Sequence, residues 1–304
     1  MKADSIHIKY LMVNERDTEW GITVNSVGFQ YIKPRESYPP KNHPSRYLFN
    51  TDKGRILDEY QLVYITHGQG KFFSRSSNKQ TVSKGKMILL FPGEWHTYYP
   101  DKSTGWDEYW IGFNNSYMVS RIFSNFFSKD RPVLNVGIQD HLVNIYLQAI
   151  EIAKEQKSGF QQLLAGTVEY LLGCAYSHNK SYSFEDTIVI QQIDKAKLII
   201  TQNMFNRISP EEIAQELEVT YSWFRKTFKE YTGFSPAQYA NEVKIQKSKE
   251  LLTNTNLSNI EISDKLGFDN PNYFCTLFRN KVKLTPKEYR NITQGKNICI
   301  MVKQ

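Results

Sequence analysis

Cysteine is scarce in this chain. Only Cys174, Cys275 and Cys299 occur in 304 residues, far apart and without CxxC or His/Cys spacing. Neither a disulfide framework nor a zinc site is therefore expected, and buried free thiols are the simplest reading. Long apolar runs are lacking too. The longest, Met87–Phe91 and Ile298–Val302, fall well short of the roughly 18 residues a membrane helix needs. The opening residues, MKADSIHIKYLMVNERD, lack the apolar block of a signal peptide. The cytoplasm is the expected location, and a membrane is not an expected partner. Enzyme fingerprints are missing as well: there is no GxSxG elbow, no phosphate-binding P-loop and no dinucleotide glycine pattern. The expectation is a protein that is not an enzyme and holds no cofactor.

What remains is an ordinary globular composition, 40% hydrophobic and 23% charged, in a length that suggests two domains. The charge is uneven. Residues 188–304 carry 17 Lys/Arg against 12 Asp/Glu, and residues 1–187 carry 21 against 19. Most of the net +7 thus sits in the smaller part, and a basic module favours a polyanionic partner.

From about Gly21 to Phe113 the chain reads as short strands. Leu62-Val63-Tyr64-Ile65-Thr66 is rich in β-formers, and Gly68-Gln69-Gly70 is expected to turn it into Phe72-Phe73. Met87–Phe91 and Tyr109–Phe113 are further strands, and Gly/Pro punctuation between them suggests a sandwich or small barrel. Near Gln139 the period changes to helical, with Leu142, Ile145, Tyr146, Ala149, Ile150 and Ala153 on one face. Gly159 breaks this helix, and a second is expected over Phe160–Tyr176. Both must bury a face, on their own barrel or on a second copy. The polar stretch Ser177–Asp186 is the best linker candidate.

Residues 188–292 read as helical throughout and contain an internal repeat. Ile213, Leu217 and Val219 recur 49 positions later as Ile262, Leu266 and Phe268; Phe224, Phe228, Pro236 and Tyr239 recur 50 positions later as Phe274, Phe278, Pro286 and Tyr289. Seven matches in order are hard to obtain by chance. In the first unit Ser209 caps a helix with Pro210 in its first turn, Glu218-Val219 makes a turn, and Thr220 caps a second helix over Tyr221–Tyr231 that Gly233 ends. In the second unit Gly267 occupies the turn, Asp269 or Asn270 caps the next helix, and Pro271 opens it. A small residue, Ala214 or Ser263, stands where each helix pair crosses. Two short helices, a tight turn and a small crossing residue describe a helix-turn-helix. A helix from about Ala237 to Leu252 joins the units, a spacer able to set two reading helices about 34 Å apart, one DNA turn.

This pattern closely resembles the AraC/XylS family of transcription regulators over about Ile193–Arg290. The carrying residues are ISPEEIAQELEVTYSWFRKTFKEYTGFSPAQY, KIQKSKELL and EISDKLGFDNPNYFCTLFRNKVKLTPKEYR. The resemblance implies one chain contacting two successive major grooves of double-stranded DNA, with RNA polymerase a candidate partner. Its base-reading positions fall on Ser222, Arg225 and Lys226 in the first unit and on Asn272, Cys275 and Thr276 in the second; Lys226 and Lys229 suit backbone phosphates. Four departures stand out. Cys275-Thr276 replaces a frequent Ser-Arg, Glu218 replaces a turn glycine, Lys283 replaces the glycine before the TP motif, and Asn259 sits at a usual core isoleucine. The first three are expected to weaken base reading or strain the backbone, and none changes the expected fold.

The N-terminal part also looks like this family's sensor domain. The segment LFPGEWHTYYPDKSTGWDEYWIGF is similar to that of its arabinose-responsive member, whose ligand-contacting positions fall on Tyr98, Glu108 and Trp110. Strand alternation puts Glu108 and Trp110 on one face. Arg55 and His96 complete the candidate set for a small effector, and aromatic faces beside fixed polar groups suit a sugar. Those aromatics could equally be core, and His96 a hydrogen-bonded structural residue. No HxH cluster accompanies His67 or His96, so a metal cupin enzyme is disfavoured.

The expected fold is two-domain α+β. Residues 1–180 form a cupin-like β-barrel with dimerisation helices at about 139–178, 181–187 a linker, 188–292 an all-α domain with two helix-turn-helix units, and 293–304 a tail. The expected function is a homodimeric, sugar-responsive activator of carbohydrate-use genes. The alternatives are a cupin-type isomerase or epimerase with an accessory helical domain, or a regulator with a different effector.

Overall fold

The structure is a computed structural model that describes residues 6–40, 49–182, 187–206 and 208–295. The chain divides into two compact units between residues 185 and 186. The first contains β1 (Ile6–Tyr10), α1 (Glu15–Glu19), β2 (Ile22–Ile32), β3 (Arg55–Ile56), β4 (Tyr60–Ser74), β5 (Gln80–Ser83), β6 (Lys86–Leu90), β7 (Trp95–Pro100), β8 (Trp106–Asn115), α2 (Met118–Phe123), β9 (Val133–Asn135), α3 (Asp140–Glu155) and α4 (Phe160–Tyr182). One antiparallel path runs β1-β2-β8-β4-β6-β9, while β5 and β7 pair with β4, and β3 with β7.

Strand β4 belongs to both layers. Its first half pairs with β6 and β8, its second half with β5 and β7. The turn expected at Gly68-Gln69-Gly70 does not form. A register shift between Ile65 and His67, followed by Gly68 at φ 74°, bends the strand without reversing it, as a bulge does. Both glycines are required for close approach: an added Cβ would lie 2.1 Å from the Gly105 carbonyl at Gly68 and 2.6 Å from the Trp106 ring at Gly70.

Alternation along β4 serves two cores, which is why its sequence reads as an unbroken apolar run. Val63 and Ile65 face an inner cluster with Phe72, Ile88, Leu90, Tyr98, Trp106 and Trp110. Leu62 and Tyr64 face an outer cluster with Val24, Phe113 and the buried sides of α3 and α4. The helices therefore bury their apolar faces on their own sheet. Each fully buried Leu, Ile or Phe there contributes roughly 1.5–3 kcal/mol. Polar contacts fix the docking. The Tyr146 hydroxyl donates to the Leu62 carbonyl at 3.1 Å, and the Gln161 side-chain amide bridges Val24, accepting from its N–H and donating to its carbonyl, both at 2.9 Å.

Helix α4 continues through Tyr182, beyond the expected end at Tyr176, so the polar stretch from Ser177 begins as helix rather than linker. Asn179 shows why: its side chain accepts from the Asn135 N–H at 2.8 Å, tying this polar turn to β9. The remainder of the expected linker, 183–186, and the tail from 296, with Cys299 and Ile298–Val302, lie outside the described residues.

The second unit contains α5 (Thr187–Gln202), α6 (Pro210–Glu216), α7 (Tyr221–Thr232), α8 (Pro236–Asn254), α9 (Asn259–Lys265), α10 (Pro271–Val282) and α11 (Pro286–Thr293). It holds two cores. Ile193, Ile200, Ile213, Leu217, Phe224 and Phe228 form the first; Ile245, Leu252, Ile262, Leu266, Phe274 and Phe278 form the second. Helix α8 serves both, giving Tyr239, Ala240 and Val243 to one and Ile245, Leu251 and Leu252 to the other. Reciprocal capping boxes start α6 at Ser209/Glu212, α8 at Ser235/Gln238, α9 at Ser258/Glu261 and α11 at Thr285/Glu288, each satisfying amides that a helix start leaves free.

Candidate nucleic-acid interface and effector cavity

Each helix-turn-helix presents its second helix by burying one side of it. In α7, Thr220 caps the start by accepting from the Trp223 N–H at 3.4 Å, and Phe224 and Phe228 are wholly buried. The opposite side then carries Ser222, Arg225, Lys226 and Lys229, all exposed. In α10, Asn270 rather than Asp269 is the cap, accepting from the Tyr273 N–H at 2.7 Å, and Phe274 and Phe278 fill the core. Asn272 and Thr276 are exposed. Cys275 differs from its neighbours in the candidate set. It is half-buried and packs on the second core, burial pushes its thiol pKa up, and Asn259 reaches its sulfur at 3.8 Å. Two departures from the family pattern therefore meet one another. The crossing residues Ala214 and Ser263 are buried, at 2% and 0% exposure.

The two turns hold the same backbone conformation with different residues. Glu218 sits at φ 56° where the second unit has Gly267 at 61°. After the second helices the assignment reverses, with Gly233 at 81° and Lys283 at 65°. Side chains rarely adopt this left-handed region, so Glu218 and Lys283 each carry about 1 kcal/mol of strain that glycine would avoid.

One cavity of the first unit lies in its inner core. Arg55, Tyr98, Glu108 and Trp110 line it together with Gln30, Tyr38, Phe49 and Gln61. The space open to the centre of a water molecule is about 20 Å³, room for a water and not for a sugar ring. Arg55 is held on its wall by two aromatic residues. Its guanidinium lies 4.4 Å from the Phe49 ring centre and 5.6 Å from that of Tyr98, and it donates to the Tyr98 hydroxyl at 2.8 Å. The Trp110 ring depends on Gly28, where an added Cβ would come within 2.6 Å of it.

Glu108 is fully enclosed. Burial pushes its carboxyl up to about 7, against the opposing effects of Gln30 and Tyr38, which donate to it, and of the nearby Arg55 charge. His96 is held the other way, down to about 4, by burial first and the Arg55 charge second. Its Nδ1 faces the Glu94 carbonyl at 3.0 Å and so must donate, leaving Nε2 to accept from Arg55 Nε at 3.4 Å. His96 thus stands behind Arg55 rather than on the cavity wall, and orients the arginine as a neutral imidazole.

Residues 31–191 match the AraC-like ligand binding domain, and residues 213–292 match a helix-turn-helix domain. The chain belongs to the AraC family. It is a DNA-binding transcription regulator of that family. Among its relatives, the lactose operon transcription activator of Staphylococcus xylosus is 25% identical over 240 residues, covering 78% of this chain and 85% of the relative. The Msm operon regulatory protein of Streptococcus mutans is 26% identical over 253 residues, covering 79% and 87%. The raffinose operon transcriptional regulatory protein of Pediococcus pentosaceus is 21% identical over 245 residues, covering 79% and 88%. No described helix of this AraC-family chain is long and apolar enough to cross a membrane.

Sequence reasoning missed Gln30, Tyr38, Phe49 and Gln61 on the cavity wall. Gln30 and Gln61 sit on strands buried on both faces, where alternation does not say which face lines a cavity. Tyr38 and Phe49 come from the irregular segment before β3, where no periodicity exists to place a side chain. On the helical unit it missed the exposed Tyr221 and Tyr273, which open α7 and follow Asn272.

Proposed function

We propose that this AraC-family regulator responds to a sugar-like effector bound in the inner cavity, and that it acts as a homodimer on operator DNA to activate carbohydrate-use genes through RNA polymerase. The observation that carries the reading is the composition of the cavity wall. Aromatic faces at Phe49, Tyr98 and Trp110 stand beside Gln30, Arg55, Gln61 and Glu108, matching a ligand with C–H faces and many hydroxyls. The lactose and raffinose operon relatives support the same class of effector. Arg55 packs on the aromatic faces that a sugar would use. A sugar that displaced it would gain the faces of Phe49 and Tyr98, and would favour whichever arrangement of the chain leaves Arg55 swung out.

The reading of DNA rests on the exposed sides of α7 and α10. Arg225 pairs with a guanine edge, Ser222, Asn272 and Thr276 contact bases, and Lys226 and Lys229 hold phosphates. Cys275, half-buried, contributes packing. The dimer reading rests on the outward side of α4. Leu163, Gly166, Tyr170, Gly173 and Ser177 are all exposed at steps of three and four, the seam of a helix pair. An added Cβ on Gly166 or Gly173 would meet nothing within 4 Å among the described residues, and each glycine weakens the helix by about 1 kcal/mol relative to alanine.

Thermal denaturation of the full chain with a panel of mono-, di- and trisaccharides tests the effector. At least one sugar should raise the melting temperature, and Trp110→Ala should abolish the rise. A panel without effect, or a rise that Trp110→Ala leaves unchanged, overturns the sugar reading while leaving DNA binding intact.

A further inference from the structure

Two of the six histidines and one of the three cysteines converge at one place far from the inner cavity. His141 lies in the first turn of α3. Cys174 and His178 lie one turn apart on α4 and so share a face. One ligand atom from each falls within 4.8 Å of the other two, and the two imidazole centres are 6.1 Å apart. The Cys174 thiol is free and half-buried. The sequence reading missed this group because His141 is more than thirty residues away in the chain, and the Cys-x3-His pair alone is too short a signal.

We propose that His141, Cys174 and His178 form a binding site for a divalent transition metal of the zinc class, bridging α3 and α4. In tetrahedral coordination, with metal–sulfur near 2.3 Å and metal–nitrogen near 2.0–2.1 Å, neighbouring donors lie about 3.3–3.6 Å apart. Small side-chain rotations would close the present spacing, at most 4.8 Å, to that geometry. Thiolate and imidazole donors select zinc, cobalt and their neighbours over magnesium and calcium. The imidazoles bind a metal in their neutral form. Loading breaks the S–H bond of Cys174, forms the metal–sulfur bond and releases the proton to solvent. Three protein donors leave the fourth position to water. The site does not depend on the sugar reading or on the dimer reading.

Cobalt(II) titration of the chelator-stripped full chain tests it. One Co2+ per chain should bind, with a thiolate-to-metal charge-transfer band in the near ultraviolet and the visible bands of a tetrahedral centre. Zinc should displace it; magnesium and calcium should not. Cys174→Ser should abolish the charge-transfer band. His141→Ala and His178→Ala should each weaken binding about tenfold or more. A Cys275→Ser/Cys299→Ser double variant should bind as the parent does. His141 is exposed, so its alanine variant separates loss of a ligand from loss of fold, and melting without metal checks each variant. A band that survives Cys174→Ser, a band lost in the Cys275→Ser/Cys299→Ser variant, or no saturable binding overturns the proposal.

Discussion

The helical unit and the barrel keep their polarity in opposite places. In the helical unit the interior is almost wholly apolar, built on Phe224, Phe228, Phe274 and Phe278, and every charged residue of the candidate interface faces water. In the barrel the interior holds Glu108, His96 and Gln30, each nearly inaccessible, beside the guanidinium of Arg55. One unit meets its partner across its surface and can afford a dry core. The other, on the function proposed above, meets a small molecule inside itself, and the polar groups it buries carry a desolvation cost that opposes folding.

That contrast is open to attack, beginning with the largest effect. Phe228→Ala and Phe278→Ala should each cost about 3–5 kcal/mol, and the cost should not vary between pH 4.5 and 8, because each packs on aromatic rings, Phe224 and Tyr239 for one and Phe274 and Tyr289 for the other, rather than on a carboxylate or an imidazole. Urea denaturation at both values measures it; a strong pH dependence would show that the helical core is less dry than described.

Glu108→Gln probes the other interior. The folded carboxyl is raised from 4.5 to about 7. Its neutral form is therefore favoured in the fold, and the stabilisation it gives is whole below pH 4.5 and lost as pH rises through 7. Glutamine cannot ionise, so the variant should gain on the parent by an amount on the order of 3 kcal/mol between pH 4.5 and 8. His96, lowered from 6.5 to about 4, acts in the reverse sense, losing stability as pH falls, but it is common to both proteins and cancels in the difference. Parallel stability curves for parent and variant would mean that Glu108 is not desolvated.

On the outer surface the effects belong to binding rather than folding. Arg225→Ala should weaken the operator complex by about 1–3 kcal/mol and relax one base position. Lys229→Ala should weaken all DNA alike and lower the salt slope by about 1. Titrations at several salt concentrations, on operator and random DNA, separate the two. Equal losses for both variants on both DNAs would remove base reading from Arg225.

The smallest effect sharpens the comparison between the two repeats. Glu218→Gly and Lys283→Gly should each stabilise the chain by up to about 1 kcal/mol, since each relieves a left-handed residue. Gly233→Ala and Gly267→Ala should do the opposite by a similar amount. Melting temperatures decide it, and a loss on Glu218→Gly would mean that its side chain makes a contact worth more than the strain.

The same contrast explains what could be read from the residues alone. Repeats with inward phenylalanines, proline and serine caps and turn glycines announced α6 to α11, because those features act within a few residues of chain. The outward positions followed from the inward ones. In the barrel, alternation placed Glu108 and Trp110 together, and the strands at Met87 and Tyr109 were legible. The bend at Gly68 was read as a turn, because a glycine pair looks the same whether a strand reverses or merely crosses between layers. The length of α4 was hidden by polar residues that are held by β9, 44 positions away. Tyr38 and Phe49 were beyond reach for the same reason: only the folded sheet brings them to Arg55.

One glutamine has a consequence for assembly. By clasping both the N–H and the carbonyl of Val24, Gln161 does for the sheet what a neighbouring peptide would do, and it does so from a helix. Helix α4 can neither slip along its axis nor roll about it without stranding two main-chain groups in an oily place. The direction in which Leu163 and Tyr170 project is consequently set by the barrel's own backbone, so any molecule that grips that ridge is held at an angle the barrel dictates.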